Sequence, residues 1–366
     1  MSDTIRTSAP ASRRRSRAHG LTVAIAAVLC AVLLAACGSG GSGSFGSSGY
    51  GSIALQLSWI KNVEFAGEYF ATEKGYYSAA GFSDVKLLAG GGQTGSVEAV
   101  VSGQATVGLS QSPATALSIT QGAPLKIIGA TYQKNPLCLL SLEDRTPIRT
   151  VADLRGKRIG VQAGANQQAL EAFLRANGVS TSDVTIVPTQ YDIAPLIRGD
   201  YDAHVSYVTN EPILAAHEGH QPVVLRLADN GLPLVGEALI TTDQTIATKR
   251  DMLKAFLTAE IKGWTDAVRD PAQSARYAAE VYGKDQDLDV AEQTEEANAQ
   301  NGLVLSPDVN ENGLFTMTDE LVDENIKALA AAGVDIRPEQ LFDLSLLKEV
   351  YAENPSLVQQ FDIPRT

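Results

Sequence analysis

The residues of this 366-residue chain whose types suit chemistry stand where apolar runs end. Trp59 closes the run IALQLSW and is followed by Asn62 and Glu64, which places an aromatic face, an amide and a carboxylate within six residues. Aromatic faces with a few convergent polar groups are what a small-molecule cleft requires. Trp59 reads either as a stacking platform or as packing between lobes, and Glu64 either as a partner for an amino group or as a helix-start charge. Gly90-Gly91-Gly92-Gln93 joins a strand to a helix, so the N–H groups around Gly91 and Gln93 can face an anion or a carbonyl, though the same sequence also makes an ordinary loop. Ser110, Gln111 and Ser112 follow one apolar run, and Ser206-Tyr207 follows another 96 positions on; both sets read as ligand contacts or as helix caps. Tyr132, Gln162, Asn166, Tyr191, Asp192, Tyr207, Asn210 and Glu211 stand at predicted strand ends or helix starts on the same side and are candidates of lower rank. His204, His217 and His220 fall on different predicted elements, so no metal site is expected. Cys138 lies in Leu137-Cys138-Leu139-Leu140, where an apolar strand raises a thiol pKa, so it reads as structural. No catalytic residue and no cofactor emerges from these patterns.

The elements that must position these groups come in an alternating order. From Ile53, short apolar runs alternate with helical patterns through LKIIGATY, and the alternation restarts at Arg158-Ile159-Gly160-Val161 and ends at PVVLRL. Strands separated by single helices imply parallel pairing and an α/β fold. The two stretches echo one another: Val101-Ser102-Gly103 with Leu109-Ser110, and Ile197-Arg198-Gly199 with Val205-Ser206. Two similar α/β lobes follow from that echo. Beyond Leu227 come one more strand, Val235–Thr242, and long helical patterns at Lys249–Arg269, Pro271–Tyr282, Asp289–Gln300, Thr318–Ala332 and Leu344–Glu353. Met252, Leu253, Phe256, Leu257, Ile261, Trp264 and Val268 form one apolar face. Helices without new strands must cover an existing sheet. The expected assembly is lobe 1 from 53–142 plus 237–366 and lobe 2 from 143–236, with hinge crossings near Ser141 and Gly236 and the ligand site at the carboxyl ends of the strands.

Ahead of this lies Arg13-Arg14-Arg15 with Arg17, an apolar run from Leu21 to Ala36, then Cys37 and a Gly/Ser tract. A basic region before a short apolar run ending in small residues is an export signal, here 1–36. Leu34-Ala35-Ala36-Cys37 resembles the lipobox of bacterial lipoproteins, which implies acylation of Cys37, with 37–52 as a flexible tether. Two or three acyl chains, each buried CH₂ adding about 0.8 kcal/mol, hold a protein stably at a bilayer. The arginines also fit a twin-arginine signal, a different route to the same destination. The segment before Cys37 holds five arginines and one aspartate, so its removal takes the formal charge from −13 to −17. A chain this acidic repels nucleic acid and anionic headgroups.

Leu57-Ser58-Trp59-Ile60-Lys61-Asn62, Ala71-Thr72-Glu73-Lys74-Gly75-Tyr76-Tyr77, Gly103-Gln104-Ala105-Thr106-Val107-Gly108, Asp153-Leu154-Arg155-Gly156-Lys157-Arg158-Ile159-Gly160-Val161 and Thr209-Asn210-Glu211-Pro212 resemble the solute-binding proteins of ABC importers. More narrowly, they resemble the branch related to fungal thiamine-pyrimidine synthase, with sulfonate, taurine and nitrate binders as cousins. The resemblance implies a two-lobed type II periplasmic-binding-protein fold that closes on a small solute and delivers it to a permease and ATPase, with no enzymatic activity, as a monomer. Relatives of this pattern bind formylaminopyrimidine or are linked to flavin uptake, so it implies a planar heterocycle, with Trp59 and Asn62 at the ligand. The fungal synthases need a lysine and, four residues on, a histidine where this chain has Ser110 and Ala114. An anionic ligand would want basic residues in the cleft, and Lys61 and Lys134 are the basic residues near the expected mouth.

Overall fold

The chain is described by a computed structural model over residues 49–91, 95–190 and 192–364. The expected export signal, Cys37, most of the tether, Gln93 and Tyr191 lie outside the described residues. The strands are β1 (Gly51–Gln56), β2 (Phe82–Leu88), β3 (Val107–Ser110), β4 (Leu125–Tyr132), β5 (Leu137–Leu142), β6 (Arg158–Val161), β7 (Thr185–Pro188), β8 (Ala203–Tyr207), β9 (Pro222–Arg226) and β10 (Gly236–Thr242). They form two five-stranded sheets of order β2-β1-β3-β10-β4 and β7-β6-β8-β5-β9. The two orders are the same when β1 is matched with β6, β3 with β8 and β10 with β5.

Strands linked through a helix pair in parallel: β1 with β2 and β3, and β6 with β7 and β8. The alternation of strand and helix dictates this, because a parallel return needs a long crossover. β5 and β10 instead run antiparallel to both of their neighbours. Each has just changed sheets. β5 follows β4 after residues 133–136 and enters the second sheet, and β10 returns to the first after 227–235.

The expected first segment, 53–142, is therefore too long at its end. Leu137–Leu142 pairs with β8 and β9, and the first crossing lies at 133–136, upstream of Ser141. The run LCLLSL announces a strand buried on both faces, as all six residues are, but an apolar run carries no mark of which sheet it joins.

The C-terminal helices cover the first sheet, except Asp319–Ala331, which packs against Ala165–Ala176 of the second lobe. Helix α1 (Ala66–Glu73) lies across α2 (Arg250–Arg269), and the expected apolar face of α2 is buried at all seven positions. Two glycines allow the helices to meet. A Cβ on Gly263 would stand 2.1 Å from the Gly67 carbonyl oxygen, and one on Gly67 would stand 2.1 Å from the Trp264 ring. Among the described residues no helix is long and apolar enough to cross a membrane.

Candidate functional site

The matched strands β3 and β8 end at Ser110 and Tyr207, and the residues that follow meet across the gap between the sheets. Gln111 Nε2 donates to the Tyr207 hydroxyl, one side chain from each lobe. Around this contact lies a cleft of about 700 Å³ lined from the first lobe by Ser58, Trp59, Gly90, Gly91, Ser110 and Gln111 and from the second by Gln162, Asn166, Gln190 and Tyr207. That volume is typical of small-molecule sites. Gly90 allows its loop to lie against the end of β1, because a Cβ there would stand 2.4 Å from the Ser58 carbonyl carbon. Among the described residues the lining includes no lysine or arginine and one carboxylate, Glu98.

Beside the cleft, and sharing Trp59, Asn166 and Tyr207 with it, is a small chamber also lined by Glu64, Val205, Ser206, Asn210 and Glu211. Glu211 opens the short helix Glu211–His217. Its carboxylate accepts from the Tyr207 backbone N–H at 2.9 Å, yet burial lifts its pKa to about 7. Glu64 is buried, and its pKa is raised well above the ordinary value, first by burial and then by the Glu237 carboxyl hydrogen-bonded to it, with Glu296 and Glu211 adding to the effect. Glu64 Oε1 has no hydrogen-bond partner.

Glu237 is the residue that sequence reasoning missed. It stands at the start of β10 with φ 44°, a left-handed conformation that costs a non-glycine residue on the order of 1–3 kcal/mol and persists where its surroundings over-determine it. Its surroundings do so. Ser58 Oγ donates to Oε2 at 2.6 Å, and the Tyr207 hydroxyl and Gln111 Nε2 donate to Oε1 at 2.7 and 3.5 Å. Burial raises the Glu237 pKa, while donation from Ser58, Tyr207 and Glu64 acts to lower it. With three donors on it, Glu237 is the better placed of the two to carry the charge, and Glu64, buried and pushed further up, is the better placed to keep a proton. The signal that marks Glu237 in the sequence is a lone glutamate in the apolar run Val235–Ile240.

Gln162 is set in the cleft wall by a buried relay. Its Nε2 lies 2.9 Å from His204 Nε2, and His204 Nδ1 lies 2.7 Å from the Tyr201 hydroxyl. An amide nitrogen can only donate, so His204 Nε2 accepts and the ring proton sits on Nδ1. Burial holds the His204 pKa down at about 4, so the imidazole is neutral. Asn166 Nδ2 donates to Gln162 Oε1 at 3.1 Å, completing the wall.

The other expected residues have different places. Asn62 is buried, and its side chain caps a 3₁₀ turn by accepting from the Glu64 N–H at 3.2 Å. Ser112 is buried and donates to the Val235 carbonyl, Tyr132 lies in the first lobe with its hydroxyl on Gln300 Oε1 at 2.8 Å, and Asp192 caps the Ala194 N–H. None of these four lines the cleft or the chamber. The reason is the same in each: a strand end or helix start has two faces, and the sequence does not say which one the side chain takes. His217 pairs with Glu295 and His220 with Asp144 at the surface. Among the described residues no group of three His, Cys, Asp or Glu side chains is arranged to hold a metal ion.

Two sheets of identical strand order, two crossings between them and a cleft at their strand ends define a two-lobed type II periplasmic-binding-protein fold. The alkanesulfonate-binding protein SsuA of Xanthomonas axonopodis pv. citri, solved bound to MOPS, shares it with a TM-score of 0.60 at 17% identity, over 78% of this chain and 95% of that chain. The chain belongs to the NMT1/THI5-like family, whose family model matches residues 62–274. Its relatives include the riboflavin-binding protein RibY of Chloroflexus aurantiacus, 27% identical over 309 residues, 78% of this chain and 83% of RibY. They also include the formylaminopyrimidine-binding protein of Halalkalibacterium halodurans, 25% identical over 227 residues, 61% of this chain and 68% of the relative.

Proposed function

We propose that this protein is the solute-binding component of an ABC importer, exported and held at the outer face of the membrane by lipid on Cys37, that captures a small planar nitrogen heterocycle between its lobes. The observation that carries the ligand class is the composition of the cleft and its annex. Trp59 and Tyr207 supply aromatic faces, Gln111, Gln162, Asn166 and Asn210 supply amides, and Glu64 and Glu211 supply buried carboxyls. Such a set stacks a flat ring and satisfies its ring nitrogens and amino groups. The names of the two relatives, a riboflavin binder and a formylaminopyrimidine binder, support the same class.

A sulfonate or nitrate ligand fits less well. Such an anion would be matched by basic side chains, and neither Lys61 nor Lys134 lines the cleft; Lys134 pairs with Asp229 at 2.9 Å. Catalysis of the fungal kind is disfavoured by Ser110 and Ala114, which occupy the cleft wall at the positions where the resemblance asks for lysine and histidine.

The test is the thermal midpoint of the purified protein with riboflavin, 4-amino-5-hydroxymethyl-2-methylpyrimidine, taurine, an alkanesulfonate and nitrate, since a ligand that binds the native state alone raises the midpoint. A shift with riboflavin or the pyrimidine is expected. A shift confined to the anions overturns the ligand class.

A further inference from the structure

Six glutamates are buried in the first lobe and at the cleft: Glu64, Glu68, Glu211, Glu237, Glu260 and Glu296. Capture of a ligand accounts for Glu64 and Glu211, which line the chamber. It leaves Glu237 unexplained, since Glu237 lines neither cavity and yet holds a strained backbone at the point where the chain re-enters the first sheet. Its carboxylate gathers Ser58 and Gln111 from the first lobe, Tyr207 from the second and the acid of Glu64. Among the described residues no other carboxylate ties both lobes and a crossing segment into one cluster.

We propose that Glu237 is a positioning residue that couples closure of the two lobes to the proton on Glu64. With that proton in place, Glu64 donates to Glu237, and the Glu237 carboxylate holds the Tyr207 hydroxyl, and so the second lobe, against the first. When the proton leaves to solvent, two carboxylates face each other with water excluded. The pair then repels, Glu237 turns away, and the bonds from Tyr207 and Ser58 are lost with it.

The groups facing the pair reinforce this and do not offset it. Glu296 and Glu211 bear on Glu64, Glu237 bears on Glu68, Glu64 bears on Tyr69, and both carboxyls bear on Tyr132 and Tyr207. None of these is a cation. A ligand amino group entering the chamber meets Glu64 Oε1, the oxygen that has no partner. Glu64 accepts there without giving up its proton, and capture that holds the lobes closed holds that proton in place, so at a pH where Glu64 has begun to ionise capture takes up a proton from solvent. That last step rests on the proposed binding function; the coupling of closure to the proton does not.

The closing experiment therefore has a ligand-free arm and a ligand arm. Small-angle scattering of the ligand-free protein at pH 5 and pH 9 should show a larger radius of gyration at pH 9. Glu237→Gln should abolish that dependence. Glu64→Gln, whose amide still donates to Glu237 but carries no acid proton, should stay compact at both pH values. A merely structural role for Glu237 would change stability at every pH and leave the pH response of the radius intact; that result, or a wild-type radius independent of pH, overturns the proposal. In the ligand arm, calorimetry with riboflavin and with the aminopyrimidine in two buffers of different ionisation enthalpy should show proton exchange in the wild type and its loss in Glu237→Gln. Failure of both probes to bind while the scattering contrast holds counts against the ligand class alone, whereas binding without a scattering contrast counts against Glu237.

Discussion

Replacing Glu211 by glutamine isolates the cost of keeping one carboxyl in the wall of the chamber. Glu211 is 4% exposed, and burial lifts its pKa from 4.5 to about 7 despite the N–H that Tyr207 donates to it. A raised native pKa means that the folded protein holds the proton more tightly than the unfolded chain. The stability this confers is complete below pH 4.5 and is lost as pH rises from 4.5 through 7. At about 1.4 kcal/mol per pH unit, the gap corresponds to about 3 kcal/mol, an order-of-magnitude figure. Glutamine cannot ionise, and its carbonyl oxygen still accepts from the Tyr207 N–H. Glu211→Gln should therefore melt close to wild type at pH 4.5 and higher than wild type at pH 8. At about 2 °C per kcal/mol for a domain of this size, the gain at pH 8 is about 6 °C. Circular dichroism melts of the ligand-free protein at the two pH values measure it. An offset between variant and wild type that is the same at both would refute the reasoning, because a packing change has no pH dependence.

Trp59→Ala should weaken riboflavin binding by about 1–3 kcal/mol, the range for loss of an aromatic stacking partner; the chain has two tryptophans, and Trp264 is buried in the helix layer, so a flavin that quenches the wild type and leaves the variant's residual emission unchanged locates the ring at Trp59. Gly263→Ala drives a methyl into the Gly67 carbonyl and should cost about 1–3 kcal/mol by overpacking, visible as a lower urea midpoint; an unchanged midpoint would mean that the two helices separate freely. Cys37→Ala should move the protein from the membrane fraction to the soluble one, and retention in the membrane would remove the lipid anchor from the reading.

The alternation of apolar runs and helical patterns made the order of elements legible, down to the buried face of Arg250–Arg269, because periodicity records burial directly. The echo between the two halves places Ser110 and Ser206 at the ends of matched strands, β3 and β8. Legibility stopped where position depends on partners far away in the chain. Nothing in Leu137–Leu142 says that it is antiparallel, or in which sheet. Among the site candidates, Trp59, Gln111, Gln162 and Tyr207 meet at one cleft, while Asn62, Ser112, Tyr132 and Asp192 spend their side chains on caps and internal bonds. Glu64, Glu211, Glu237 and Glu296 are scattered across more than 230 positions, so no local pattern announces that they converge. Glu237 also owes its place to a backbone conformation that glutamate rarely adopts, which propensity argues against.

The exchange of β5 and β10 between the sheets sets an order in which the molecule can be built. All five strands of the second sheet lie between Leu137 and Arg226, so that sheet can close once this one stretch has emerged. The first sheet cannot close so early. β4 touches the rest of it through β10 alone, and β10 is made more than a hundred residues after β4 begins. Until it arrives, β3 and β4 each present an unpaired edge, the condition in which strands recruit the wrong neighbours. The second sheet thus serves as the template whose completion brings the chain back to fill the gap, and first-lobe assembly carries the long loop closure that slows folding. The final strand is also the one that brings Glu237 to the cleft, so the site comes into existence last.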